Sequence, residues 1–565
     1  MQVQPQRKLH DIAIVGSGAG GGMAAWVLAN AGADVVMLEA GPEWYADQDG
    51  AMLTWPYETA LRGAATDEKP FGEFDGCIGG WEIEGEPYTR ADGTRFDWWR
   101  ARMLGGRTNH WGRISLRFGP DDFRGKSRDG LGDDWPITYD DVARYYDRID
   151  RLIGIFGSAE GLPNHPDSIF QPPPAPRCYE RLVKRACDRL EITCVAGRLS
   201  VITQPLNGRP ACHYCGQCNR GCGVNANFSS PMVLIRPALE TGNLTLITNA
   251  MAREVTTGRD GRATGVSYVD KSTGADEHVR ARVVVLAASA CESARILLNS
   301  TSSRFPQGLA NSSGTVGKYL TDTTGTDAWA HIPALVDSPP HNEDGVGGGH
   351  IYVPWWLDNA SLDFPRGYHL EVWGGRDAPA YGFMGGIHRY NASGGGYGAQ
   401  LKQDYRRYWG SVVGLSGRGE MIPNDDSYCE LDPNVVDRWG IPVLRFHWRW
   451  SENELLQVRH MQQSARAILE QMGGKMLSDE HTEEDGWGII DGGRIIHELG
   501  CVRMGDDPST SVLDPYCRAH DVPNLFVADG GPFVSQADKN PTWTILALAW
   551  RTADQIARLR SEGVV

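Results

Sequence analysis

Positive charge is in short supply. Lys and Arg total 55 against 71 Asp and Glu, a formal charge of −16. A chain this acidic is poorly built to grip phosphate backbones, which excludes nucleic acid as its natural partner. Long apolar runs are missing as well. A stretch such as Val283 to Ala288 falls far short of the ~20 residues that cross a bilayer, so direct membrane insertion is not expected. The opening Met-Gln-Val-Gln-Pro-Gln-Arg-Lys carries no apolar core of the signal-peptide kind. The expected location is cytoplasmic, or periplasmic if a signal-bearing partner carries the folded chain out. No internal repeat is visible, and the 69 glycines have no collagen-like period. With 41% hydrophobic and 22% charged residues, the chain is globular. Its 565 residues exceed one ordinary domain, so two packed domains are expected.

What is present is clearest between Asp11 and Gly41. Ile12-Ala-Ile-Val15 reads as a buried parallel strand, followed by Gly16-Ser-Gly18-Ala-Gly-Gly21. An alanine-rich helix from Met23 to Ala31 comes next, then a second apolar strand, Asp34 to Leu38, ending at Glu39. Gly16 permits the tight turn, Gly18 lets the backbone approach a pyrophosphate, and Gly21 lets the helix pack closely on the sheet. The helix start offers free N–H groups and a positive dipole end. Glu39 suits a ribose hydroxyl and would repel a 2′-phosphate. Strand, loop, helix, strand and acid in this order mark a dinucleotide site. FAD and NAD both remain open on the loop alone.

Further segments carry a resemblance that runs from residue 11 to residue 556. They are Leu38-Glu-Ala40-Gly41, Leu104-Gly105-Gly106-Arg-Thr108-Asn109-His110-Trp-Gly112, Val283 to Ala288 with Glu292 to Leu298, and Gly317-Lys-Tyr-Leu-Thr-Asp322. Later come Glu420-Met-Ile-Pro423, Asp437-Arg-Trp-Gly-Ile-Pro442, His497-Glu-Leu-Gly-Cys-Val-Arg-Met-Gly505, Asn524 to Gly530 and Asn540-Pro-Thr542. Together they resemble the glucose–methanol–choline (GMC) oxidoreductases. The resemblance implies FAD, held by Gly16, Gly18, Gly21, Glu39, Ala40, Gly105, Gly106, Thr108, Asn109, His110, Ala252, Asp529, Gly530 and Thr542. It implies an α/β fold in which a Rossmann-like FAD-binding domain is interleaved with an α+β substrate domain on an antiparallel sheet. The expected FAD-binding pieces are 1–125, 195–325 and 487–565, and the substrate-binding pieces 126–194 and 326–486. Strand-like runs at Ile351 to Trp356 and Tyr368 to Trp373, a helix from Tyr139 to Phe156 and a stiff Pro172 to Pro176 connector fit this layout.

The same resemblance places a proton-accepting base at His497 and a hydroxyl-orienting partner at Asn540. A neutral imidazole suits the first role because its pKa lies near working pH. An Asn in the second position resembles the sugar-oxidising members. His110 stands where some relatives bond FAD covalently to histidine and others do not; the non-covalent reading is preferred.

Of 12 cysteines, four crowd into Cys212-His-Tyr-Cys215-Gly-Gln-Cys218-Asn-Arg-Gly-Cys222. That is ferredoxin-like iron–sulfur spacing, with Gly223 where a Pro usually follows. Four-thiolate zinc, two disulfides and a metal-free thiol loop are the competing readings. The run resembles the catalytic subunits of bacterial sugar dehydrogenase complexes. There FAD passes electrons to a 3Fe–4S or 4Fe–4S cluster and on to a cytochrome c partner. Cys212, Cys218 and Cys222 are the firmer ligands, with Cys215 the fourth. Those complexes imply a small chaperone-like partner subunit that carries an export signal.

The expected activity is FAD-dependent oxidation of a sugar or glycoside hydroxyl, at C1 or, as in glucoside 3-dehydrogenases, at C3. Trp355, Trp356, His369, Glu371, Trp373 and Tyr381 suit a pyranose, and suit sheet packing equally. Oxidation of sterols or other alcohols without a working cluster is one rival. A non-catalytic electron-transfer flavoprotein is another.

Overall fold

The computed structural model describes residues 4–66, 69, 71–338, 345–354, 361–376 and 398–565. Two sheets organise it. The larger has seven strands. Gln4–Val15 pairs in parallel with Val35–Leu38 on one side and with Ala275–Leu286 on the other. Leu244–Ile247 extends one edge, and Leu525–Val527 adds in parallel to the end of 275–286. Ala263–Asp270 and Ala250–Thr257 continue antiparallel from the first half of 275–286. Ile12, Ala13, Ile14 and Val283 to Leu286 are buried at 3% exposure or less, so these runs read as continuously apolar rather than alternating.

The turn out of the first strand is forced by contact. Gly16 has φ +98°, and a Cβ there would sit 2.3 Å from the Ala287 carbonyl oxygen. The helix Ala19–Asn30 then begins with no side-chain cap on its free N–H groups. It starts four residues earlier than the apolar run alone suggests, because Gly20 to Gly22 are themselves helical.

The second sheet is antiparallel, with six strands ordered 475–476, 327–331, 412–419, 368–374, 351–353 and 195–196. One face packs on the helix Glu452–Gln471 through Ala328, Ala330, Val353, Leu370, Val372, Val413 and Leu415. Strand alternation sends Trp329, Tyr352, His369, Glu371, Trp373, Ser416 and Arg418 to the opposite face. That face looks across a large cavity at the parallel sheet. Trp355, Trp356 and Tyr381 lie outside the described residues.

Candidate active site

A cavity of about 1720 Å³ lies between the two sheets. Gly16, Gly18, Glu39 and Ala40 form one end of its wall, and Gly106, Thr108, His110, Ala252, Asp529, Gly530 and Thr542 line it further on. Gly21, Gly105 and Asn109 stand behind that wall. Gly21 packs against Gly16 and Ala287, Gly105 against Pro231, and Asn109 donates to the Leu104 carbonyl at 2.8 Å.

These residues fit a dinucleotide. A Cβ built on Gly18 meets nothing within 4 Å, so the space in front of the helix start is open. Glu39 is buried. Its carboxylate accepts from the Ser17 hydroxyl, from Ser17 N at 3.2 Å and from Gly41 N at 2.8 Å. Burial nevertheless raises its pKa, with those hydrogen bonds opposing. The Ser17 hydroxyl accepts from Gly105 N at 2.8 Å, tying the two loops together. His110 is buried, and burial with Arg113 and Arg107 nearby lowers its pKa to about 3, leaving a neutral ring. Its Nδ1 lies 3.9 Å from Asp75 Oδ1, and its Nε2 has no hydrogen-bond partner among the described residues.

His497 and Asn540 meet at the same cavity from different segments. Asp322 accepts from the His497 backbone N at 3.0 Å and from Gly493 N at 2.7 Å. The His497 Nδ1 lies 2.8 Å from the Thr323 hydroxyl, which also accepts from Gln536 Nε2 at 2.9 Å. Arg107, on the loop that carries His110, donates to the Ile496 carbonyl at 3.1 Å and to the Glu498 carboxylate. The base candidate is thus held from both sides. Burial, then Arg418, pushes the His497 pKa down to about 3, with Glu371 opposing. Asn540 donates from Nδ2 to Glu371 Oε1 at 3.1 Å.

Trp373, Trp329 and Trp409 line the cavity on the antiparallel-sheet side. His369 and Glu371 do not; they stand one layer back. Asp322, Thr323, Gln536 and Arg418 carried no sequence signal of their own. Asp322 alone sat inside a recognisable segment.

The cysteine motif adjoins this cavity. Cys215 and Gly216 line its wall, and a small side cavity is lined by Cys212, Cys215, Cys218 and Cys222 together. Each sulfur faces a backbone N–H. Tyr214 N donates to Cys212 at 3.3 Å, Gly347 N to Cys218 at 3.3 Å and Ala226 N to Cys222 at 3.2 Å. Burial raises the Cys215 pKa, with the hydrogen bond from Gln217 N opposing. All four thiols are free. Among the described residues, the sets whose ligand atoms gather within 4.8 Å of one another are Cys291–Cys429–Cys501 and Asp75–Cys77–His110. The motif sulfurs are more widely spaced than that. Arg113 bridges the flavin-side loop and the motif, donating to the Asn109 carbonyl at 3.1 Å and the Cys218 carbonyl at 2.6 Å.

Comparison with known proteins bears directly on this geometry. The N-terminal and C-terminal family models of GMC oxidoreductases match residues 19–324 and 423–549. A 2-methyl-1,2-propanediol dehydrogenase of Mycolicibacterium austroafricanum is 29% identical, over 98% of this chain and 96% of that one. The fructose dehydrogenase large subunit of Gluconobacter japonicus is 26% identical, over 98% of each chain. Among solved structures, a mutant formate oxidase of Aspergillus oryzae, studied for its FAD modification, superposes with a TM-score of 0.65 at 14% identity. The match covers 98% of this chain and 99% of that one.

Proposed function

This chain belongs to the GMC oxidoreductase family, and from that premise we propose that it is an FAD-dependent dehydrogenase of sugars or glycosides. It oxidises a secondary or hemiacetal hydroxyl and passes the electrons out through an iron–sulfur cluster. The observation that carries this reading is the continuous cavity that reaches from Gly16 and Glu39, past His497 and Asn540, to Cys215. FAD, when bound there, supplies the hydride acceptor.

The protein's own part is proton handling and orientation. The Thr323 oxygen accepts from Gln536 and lies within hydrogen-bond distance of His497 Nδ1. We assign the ring hydrogen to Nδ1, donated to the Thr323 oxygen, which leaves the Nε2 lone pair for the hydroxyl proton. Asn540 Nδ2 holds the substrate oxygen. His110 contributes as a buried neutral ring and binds FAD without a covalent bond.

Cys212, Cys218 and Cys222, with Cys215, hold the cluster. Backbone N–H groups donate to the Cys212, Cys218 and Cys222 sulfurs, the kind of outer hydrogen bond that orients metal-bound thiolates. A single tetrahedral ion at ~2.3 Å from each sulfur needs a tighter grouping than these residues adopt. A cluster, which spreads its ligands over several iron atoms, suits the wider one. One relative's designation as a large subunit supports a small chaperone-like partner, with a cytochrome c as acceptor. No helix among the described residues is long and apolar enough to cross a membrane.

An anaerobic visible spectrum before and after methyl glucoside and fructose, with iron and acid-labile sulfide assays, tests the reading. Flavin bleaching with roughly three or four irons per chain is expected. Bleaching without iron retires the relay and keeps the chemistry. No bleaching by any sugar, glycoside or diol overturns the function. Product analysis then distinguishes a lactone from a 3-keto glycoside, the expected product for a glycoside being the 3-keto form.

A further inference from the structure

Behind the cavity wall lies a continuous run of buried charge that the oxidation chemistry does not itself require. Lys539 is fully buried and bridges Asp122 at 2.9 Å and Asp538 at 2.6 Å. Asp538 Oδ2 faces His165 Nε2 at 3.4 Å and His369 Nδ1 at 3.8 Å. The other His369 nitrogen lies 3.7 Å from Glu371 Oε1, and Glu371 Oε2 lies 3.4 Å from Arg418 Nη2. Desolvation largely offsets the attraction inside such buried pairs, so they are a poor way to gain stability. Their geometry is more informative.

The tripeptide Asp538-Lys539-Asn540 is clamped at every residue. The strand Tyr368–Gly374 sends His369 and Glu371 to one face, two residues apart. Asp538 and Asn540 are also two residues apart and meet them in order, His369 against Asp538 and Glu371 against Asn540. Lys539, between them, is turned the other way onto Asp122. Register fixes the strand as well, since His369 lies directly opposite Arg418 on the neighbouring strand.

We propose that Glu371 is a positioning residue that sets which end of the Asn540 amide faces the substrate. An ionised carboxylate only accepts hydrogen bonds. Arg418 and His369 hold Glu371 in that form, at a pKa of about 2 against the cost of its burial. An amide turned over would place its carbonyl oxygen against that carboxylate. The amide nitrogen therefore faces Glu371, and Asn540 Oδ1 is buried with no hydrogen-bond partner among the described residues. The second hydrogen on Nδ2 is left for an oxygen in the cavity. Asn540 is thereby fixed as a donor to the reacting hydroxyl, which is a one-sided requirement because the hydroxyl's own proton goes to His497. This inference rests on the proposed roles of His497 and Asn540.

A double-mutant cycle on anaerobic flavin reduction tests it. Glu371→Gln keeps the shape but presents both a donor and an acceptor, so the Asn540 amide is free to turn. The limiting reduction rate should fall about 10- to 100-fold, the scale of a misplaced reacting group. The substrate concentration at half-saturation should change less than about threefold, because binding elsewhere in the cavity is intact. Asn540→Ala should cost a similar factor, and the double variant should be no more than about threefold slower than the slower single variant. Flavin content and melting temperature identify any variant that has failed to fold. Where Glu371→Gln fails to fold, Glu371→Ala, which removes the acceptor and frees the Asn540 amide to turn, carries the same cycle. Losses that multiply in the double variant, or a Glu371→Gln enzyme reduced at the wild-type rate, overturn the proposal and leave the proposed function standing. A wild-type flavin that no sugar, glycoside or diol bleaches overturns both.

Discussion

The two walls of the cavity are made of different material. The wall on the parallel sheet is main chain: Gly16, Gly18, Ala40 and Gly106 present backbone, and Glu39 is the acidic side chain among them. The wall on the antiparallel sheet is side chain, with Trp329 and Trp373 in front and His369, Glu371 and Arg418 behind. A backbone site is specified by where side chains are absent, and its residues lie close together in the chain. A side-chain site depends on which strands become neighbours. The first suits a ligand common to a whole family, and on the proposed function the second is the wall that meets the substrate.

The largest effect expected from breaking this arrangement comes at the junction of the walls. His497→Ala removes the proposed proton acceptor and leaves the main-chain wall untouched. Flavin should remain bound at wild-type stoichiometry, and its anaerobic reduction should slow by roughly 10²–10⁴-fold. Stopped-flow absorbance reads both quantities. A variant reduced at near wild-type rate removes His497 from the role, whatever its place in the cavity.

A smaller effect isolates the main-chain wall. Gly16 is closed in by neighbours, with a Cβ meeting the Ala287 carbonyl oxygen, whereas Gly18 opens onto empty space. Gly18→Ala should therefore leave the melting temperature of flavin-stripped protein unchanged. The methyl group would instead occupy the room a pyrophosphate needs and weaken flavin binding about tenfold, or about 1.4 kcal/mol. Gly16→Ala should lower the melting temperature with or without flavin. Equal effects of the two substitutions on stability would erase the distinction between a glycine kept for packing and one kept for a ligand.

The same difference explains what could be read from the chain itself. The strand–loop–helix–strand unit ending in Glu39 was legible because each feature is local: apolar runs, glycine spacing and one terminal acid within some thirty residues. The strand-like run from Tyr368 to Trp373 was legible too, and alternation puts His369, Glu371 and Trp373 on one of its faces. What alternation leaves open is what that face meets. Trp373 reaches the cavity, while His369 and Glu371 are taken up by Asp538 and Asn540, over 160 residues away in the chain. Arg418 had no signal at all, since a lone arginine in a strand reads as surface until its opposite residue is known to be His369. Asp322 and Thr323 are similar: adjacent residues whose importance comes only from folding against residues 493–497. The cysteine spacing was local and legible. One of its backbone donors was not, because Gly347 reaches Cys218 from a distant segment.

The smallest expected effect, and the sharpest on the side-chain wall, is a shift in pH dependence. Burial and the Arg418 guanidinium bring the His497 pKa from 6.5 to about 3. The folded protein therefore binds fewer protons at this site than the unfolded chain between those two values. The associated stability is fully present above pH 6.5 and is lost as pH falls toward 3. In catalysis the ring is already neutral at mildly acidic pH, so flavin reduction should show no acid limb from His497 above about pH 4. Arg418→Met removes the cation and leaves the Glu371 carboxylate to act on the imidazole uncompensated. Both changes favour the protonated ring and raise its pKa. The variant should reduce its flavin at a near-normal rate at alkaline pH and lose activity as pH drops through the range from 6.5 toward 4, where the wild type stays flat. Reduction rates measured across that range in both proteins decide the matter. A wild-type acid limb near pH 6.5 would mean that neither burial nor Arg418 holds the His497 ring neutral. An unshifted variant profile would mean that burial alone holds the ring neutral and that the antiparallel wall acts on Asn540 without touching the base.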